Sequence, residues 1–123
     1  MAAPEHTSSA TILVVADDPD VRELAVQFLT GMGIPVLEAA SGAEALTLLA
    51  SHPEIGVLFS DVCLPGMNGA ELAARARRRW PELRIVMTSA YVAGIMVRDV
   101  EFLPKPYRMH ELVRKLVGML KIE

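Results

Sequence analysis

The chain has 123 residues, 52% hydrophobic and 22% charged, with eight Gly and eight Pro, which is the composition of one globular domain with its own core and excludes a disordered or collagen-like chain. Twelve Lys and Arg against fifteen Asp and Glu leave a net charge of −3, so no basic field exists to hold nucleic acid or an anionic membrane. The single cysteine, Cys63, excludes an internal disulfide framework or a cysteine-cluster zinc site and fits a reducing compartment.

Met1 to Ala10 is small and polar without periodicity, so residues 1-10 are expected to be a flexible lead-in to a domain spanning 11-123. No Lys or Arg precedes Arg22, so no secretory signal is indicated, and every apolar run is far shorter than the roughly 20 residues of a membrane span. A cytoplasmic protein is expected. Thr11 to Ala16 is β-branched and apolar on both faces, as in a strand buried within a parallel sheet. It ends at Asp17-Asp18. Asp18 reads as an N-cap and Pro19 as the first helical position, and Val21, Leu24, Ala25, Phe28 and Leu29 recur at helical spacing up to Gly31 and Gly33.

Pro35 to Ala39 is a second short strand, and Ser41-Gly42-Ala43-Glu44 is a capping box that opens a helix stopped by Pro53. Gly56 to Asp61 forms a third strand ending in an acid, then the turn-rich Leu64-Pro65-Gly66-Met67-Asn68-Gly69 and a helix from about Ala70 to Trp80. Arg84 to Ser89 is the fourth strand and Glu101 to Leu103 the fifth. Pro106 to Leu120 is an amphipathic helix with Leu112, Val113, Leu116 and Val117 on its apolar face. Strands alternating with helices imply an α/β fold, a doubly wound parallel sheet covered on both faces.

Such sheets bind ligands beyond the carboxyl ends of their strands. The polar residues at those ends are Asp17 and Asp18, Asp61, Thr88 and Ser89, and Lys105 before Pro106. They supply oxygen ligands for a hard cation, a carboxylate nucleophile, a hydroxyl donor and a cation, which is the set that phosphoryl transfer to a carboxylate needs.

Four stretches now resemble the receiver domains of two-component response regulators, the CheY-like family. They are Ile12-Leu13-Val14-Val15-Ala16-Asp17-Asp18-Pro19, Asp61 to Gly69, Thr88-Ser89-Ala90-Tyr91, and Phe102-Leu103-Pro104-Lys105-Pro106-Tyr107, in order and on the right elements. The resemblance implies a flavodoxin-like five-stranded sheet of order 2-1-3-4-5. It implies that Asp61 accepts a phosphoryl group from a histidine kinase or a histidine phosphotransfer protein and so switches binding to a downstream protein. Ser89 and Lys105 match the hydroxyl and ammonium that contact the phosphoryl group, and the Lys105-Pro106 bond matches the family's cis peptide. Asp17, Asp61 and the main-chain carbonyl of Cys63 match the Mg²⁺ ligands, and Phe102 matches the switch aromatic. Neither nucleic acid nor membrane is an expected direct partner.

Two departures stand out. Counted back from Pro19, Ala16 occupies the place of the family's first acid, leaving Asp17 as the second and Asp18 as the cap; a one-residue slip would instead make Asp17 and Asp18 the pair, with Asp18 a ligand, but would reverse the faces of a buried strand. The connection from Ala90 to Val100 has 11 residues, with a central Gly94 and no N-cap, so a shortened or irregular fourth helix is expected there. Of the two hydroxyls ending the fourth strand, alternation lets one reach the phosphoryl group. Ser89 holds the family position, and Thr88 reads as a packed β-branched residue.

The alternatives are a pseudo-receiver that binds without phosphorylation, because Ala16 weakens the acid site, and a Mg²⁺-dependent phosphatase of the haloacid dehalogenase type. The phosphatase needs a second Asp where Cys63 stands. No enzymatic activity is expected, and a receiver acting without an attached output domain is the favoured reading. Arg75, Arg77, Arg78 and Arg79 read as a solvated helix face, and the scattered His6, His52 and His110 suggest no metal site.

Overall fold

The computed structural model describes residues 11–89 and 100–120. The expected flexible segment 1-10 and the expected short fourth helix lie outside the described residues. The elements are β1 (Thr11–Val15), α1 (Pro19–Gly31), β2 (Val36–Ala39), α2 (Gly42–Ser51), β3 (Ile55–Asp61), α3 (Gly69–Arg79), β4 (Arg84–Ser89), β5 (Glu101–Pro104) and α4 (Met109–Met119). All neighbouring strands pair in parallel, in the order β2-β1-β3-β4-β5. Among the described residues no helix is long and apolar enough to cross a membrane.

Strand alternation divides the core into two layers. Leu13, Val15, Leu58, Ile85 and Met87 face Ala45 and Leu49 of α2 and Leu72, Ala73 and Ala76 of α3. Ile12, Val14, Val57, Phe59 and Val86 face Ala25 and Leu29 of α1 and Leu112, Val113 and Leu116 of α4. Burial of both faces explains why the central strands read as unbroken apolar runs.

One boundary needs correction, and α1 buries less of its apolar arc than the spacing offers. On α1 only Ala25 and Leu29 are buried, whereas Val21, Leu24 and Phe28 are 39%, 46% and 47% exposed. At 100° per residue these three lie to one side of the narrow Ala25–Leu29 stripe, beyond the reach of the sheet. The last helix begins at Met109 rather than Pro106. Arg108 stands at its N-cap with extended backbone, and the Glu111 carboxylate accepts the Arg108 N–H at 2.7 Å; this one-sided capping interaction fixes the start where Arg108 itself has no side-chain acceptor.

The α1 geometry gives a test. Leu29→Ala should cost about 3 kcal/mol, the usual range for emptying a fully buried leucine site, while Phe28→Ser should stay within about 1 kcal/mol, as at an exposed position. Urea unfolding of both variants checks this; equal losses would place Phe28 in the core.

Candidate functional site

The sheet order puts β3 at the centre with β1 on one side and β4 on the other, so the carboxyl ends of these strands converge. Asp61 closes β3 and is 8% exposed. Its backbone is held closely: the Ser60 hydroxyl donates to the Asp61 carbonyl at 2.8 Å, Val62 N–H donates to the Thr88 carbonyl at 3.0 Å, and Gly69 N–H donates to the Val62 carbonyl at 2.7 Å. A Cβ on Gly69 would collide with the Asp61 carbonyl and Val62 backbone, so only glycine allows α3 to start against the end of β3. Gly66, at φ 75°, supplies the turn after Pro65 that brings the chain back to α3. Asn68 caps α3 through the Glu71 N–H at 2.8 Å.

Lys105 reaches Asp61 from the far side of β4, with Nζ 2.7 Å from Asp61 Oδ1. Its backbone is anchored by the Lys105 N–H, which donates to the Ser89 carbonyl at 3.0 Å; the Lys105-Pro106 peptide is cis. Tyr107 follows, its ring edge-on to Phe59 at 6.3 Å between centroids. Burial pushes the Tyr107 phenol above its ordinary value of 10.0, and the negative charge of Asp61 pushes it further in the same direction. Val21, Lys105, Pro106 and Tyr107 line a groove of about 450 Å³.

On the β1 side, Val15 pairs with Ser60, so the next step along both strands sets the buried Ala16 level with Asp61. Asp18 caps α1, accepting from the Asp20 and Val21 N–H groups at 2.9 and 3.4 Å, while Asp17 is exposed in the turn between β1 and the helix. Arg22, not singled out in the sequence, reaches back from α1 to donate to the Ala16 carbonyl at 2.7 Å and to Glu38 Oε1 at 2.9 Å. It ties β1, β2 and α1 together at the edge of the site. Among the described residues no three His, Cys, Asp or Glu side chains gather as a metal site.

Ser89 and Thr88 are both buried at the end of β4, at 4% and 2% exposure. Cys63 is exposed in the loop after β3. Phe102 is partly buried and packs on the α2/α3 layer beside its β4 partner Met87. The arginine group is more tied down than a solvated face: Arg75 pairs with Glu71 at 2.6 Å, Arg77 donates to the Pro81 and Leu83 carbonyls at 2.6 Å, and the Arg79 guanidinium lies 4.9 Å from the Trp80 ring centroid.

A family model for the response regulator receiver domain matches residues 12–117. The sensor kinase CckA of Brucella abortus (strain 2308) is 33% identical over 126 residues, a match that covers 97% of this chain and 13% of that kinase. The response regulator receiver protein CpdR of the same strain is 33% identical over 115 residues, covering 89% of this chain and 95% of CpdR. Among solved structures, the receiver domain from the hybrid histidine kinase CckA matches with a TM-score of 0.78 at 36% identity, covering 90% of this chain and 99% of that one. The response regulator TrrA from Thermotoga maritima, in complex with Mg²⁺-BeF, matches with a TM-score of 0.82 at 29% identity, covering 89% and 98%. This chain belongs to the response regulator receiver domain family of two-component systems. Receiver domains interact with histidine kinases or phosphotransfer proteins, bind Mg²⁺ at the phosphorylation site and are in general phospho-acceptors rather than enzymes.

The charge coupling of Asp61 and Tyr107 is measurable. In a Tyr91→Phe background, which leaves Tyr107 as the one tyrosine, Asp61→Asn should move the phenolate absorbance midpoint down towards the ordinary value without reaching it, because burial persists. The same raised value means that stability falls as pH rises above 10, where the unfolded chain releases its phenolic proton before the folded one does. An unchanged midpoint in Asp61→Asn would show that the two groups do not interact.

Proposed function

We propose that Asp61 is the phosphoryl acceptor of this receiver. An oxygen of its carboxylate attacks the phosphorus of a phosphohistidine on a histidine kinase or histidine phosphotransfer protein; the P–N bond breaks, the imidazole leaves with the bonding pair and an acyl phosphate forms. The observation that carries this reading is the 2.7 Å contact between Lys105 Nζ and Asp61 Oδ1, which places a cation against the one nearly buried carboxylate among the described strand ends. The ammonium can move onto a phosphoryl oxygen once the carboxylate charge is spent. Ser89 donates its hydroxyl to the phosphoryl group, and Phe102, on the same face as Ser89, follows it to a second state that a downstream protein reads.

The donor set suits Mg²⁺. Asp17, Asp61 and the Cys63 main-chain carbonyl offer hard oxygens, and so few protein ligands fit an ion that keeps most of its waters. An ion held by these residues would supply neutralisation of the charge that builds up on the phosphoryl oxygens. Ala16 withholds a carboxylate and Arg22 adds a cation nearby, so the affinity is lower than in a receiver with both acids. The domain extends over 11-123, works in the cytoplasm as a switch rather than an enzyme, and has neither nucleic acid nor membrane as a direct partner.

Intact-mass measurement after incubation with a small phosphodonor and Mg²⁺ tests the acceptor: the native protein should gain one phosphoryl group and Asp61→Asn none. Phosphorylation of the variant at the native rate would contradict the assignment. Isothermal titration with Mg²⁺ tests the metal site, where Ala16→Asp should bind about tenfold tighter through its additional carboxylate. Equal affinities would mean that the position of Ala16 does not face the ion.

A further inference from the structure

The two hydroxyls at the end of β4 face opposite layers, and the sheet register decides which of them accompanies Asp61. Val57 and Phe59 lie in the α1/α4 layer, so Asp61, two residues further along β3, projects from the same face. Val86 lies in that layer too, which places Thr88 there with it, and the register pairs Asp61 directly with Thr88. Ile85 and Met87 lie in the α2/α3 layer, which places Ser89 on that side with Phe102. Tyr107, which packs on Phe59 and feels the charge of Asp61, belongs to the Thr88 side.

Thr88 is 2% exposed, and its hydroxyl oxygen is buried without a hydrogen-bond partner among the described residues. A buried hydroxyl without a partner is destabilising, and a valine would fill the same space without that cost. On the strand next to Asp61, a hydroxyl that finds no acceptor among the described residues is available to one that arrives later.

We propose that Thr88 is a second hydroxyl donor to the phosphoryl group on Asp61, acting from the α1/α4 face of the sheet. This deepens the reading of Asp61 as acceptor and rests on it. When Asp61 is phosphorylated, three new acceptor oxygens enter the space above the Asp61–Thr88 pair, and the Thr88 hydroxyl gains a partner that none of the described residues provides. Ser89 then couples the phosphoryl group to Phe102, and Thr88 binds it on the opposite face. This revises the expectation that alternation admits only one of the two hydroxyls, because a phosphoryl group on Asp61 stands beyond the strand ends, between the two faces.

The test compares native protein with Thr88→Val, Thr88→Ser and Asp61→Asn, each given a small phosphodonor and Mg²⁺, with phosphorylation followed by intact mass and melting temperature recorded. Thr88→Val should be phosphorylated about tenfold more slowly, in keeping with the loss of one donor to developing charge, while melting no lower than the native protein. Thr88→Ser should retain most of the native rate. A Thr88→Val rate within about threefold of native, or a Thr88→Ser rate as slow as that of valine, would overturn the proposal while leaving Asp61 as the acceptor. Failure of the native protein to gain a phosphoryl group, or equal gain by Asp61→Asn, would overturn the reading of the site and the role of Thr88 with it.

Discussion

The ion pair between Lys105 and Asp61 is the constraint around which the rest of the site is arranged. Its partners come from β3 and from the end of β5, and β4 lies between those strands. They meet because the parallel sheet aligns all strand ends on one edge and because Lys105 is tethered through its own N–H to the Ser89 carbonyl. The Asp61 side chain is only 10% exposed and that of Lys105 35%. A carboxylate so shielded needs a cation, and a cation so exposed has an aqueous alternative. That asymmetry makes the pair separable when the charge on Asp61 changes.

Around this pair the backbone leaves little slack. The close start of α3 at Gly69, the link from Val62 to Thr88 and the cap at Asn68 fix the end of β3 from below. Arg22 fixes the end of β1 from the side through the Ala16 carbonyl and Glu38. A guanidinium near a helix N-terminus opposes the helix dipole, and here a carboxylate and a carbonyl offset that cost. Val21, Lys105, Pro106 and Tyr107 line a groove at this end of the sheet, and Phe102 packs against the layer on the opposite face.

Much of this was legible in the sequence because buried parallel strands announce themselves as apolar runs, and because caps such as Asp18, Ser41 and Asn68 have local chemistry. Asp61, Lys105 and Ser89 could be placed at strand ends before any geometry was known. The exposure of Phe28 could not, since helical periodicity marks an apolar arc without saying how much of it the sheet covers. Nor could the start of α4, where a glutamate reaching back to Arg108 decides among several permissible first turns. The pairing of Asp61 with Thr88 is a matter of register between strands far apart in sequence, and alternation within one strand does not reveal it.

In the proposed reading the phosphoryl group goes to the shielded carboxylate held by Lys105. Borohydride reduction of the phosphorylated protein, followed by peptide mapping, converts an aspartyl phosphate to homoserine and reports its position directly. Homoserine is expected at position 61 alone. Homoserine at 17 or 18, or a phosphoryl group found on a histidine with Asp61 unmodified, would contradict it.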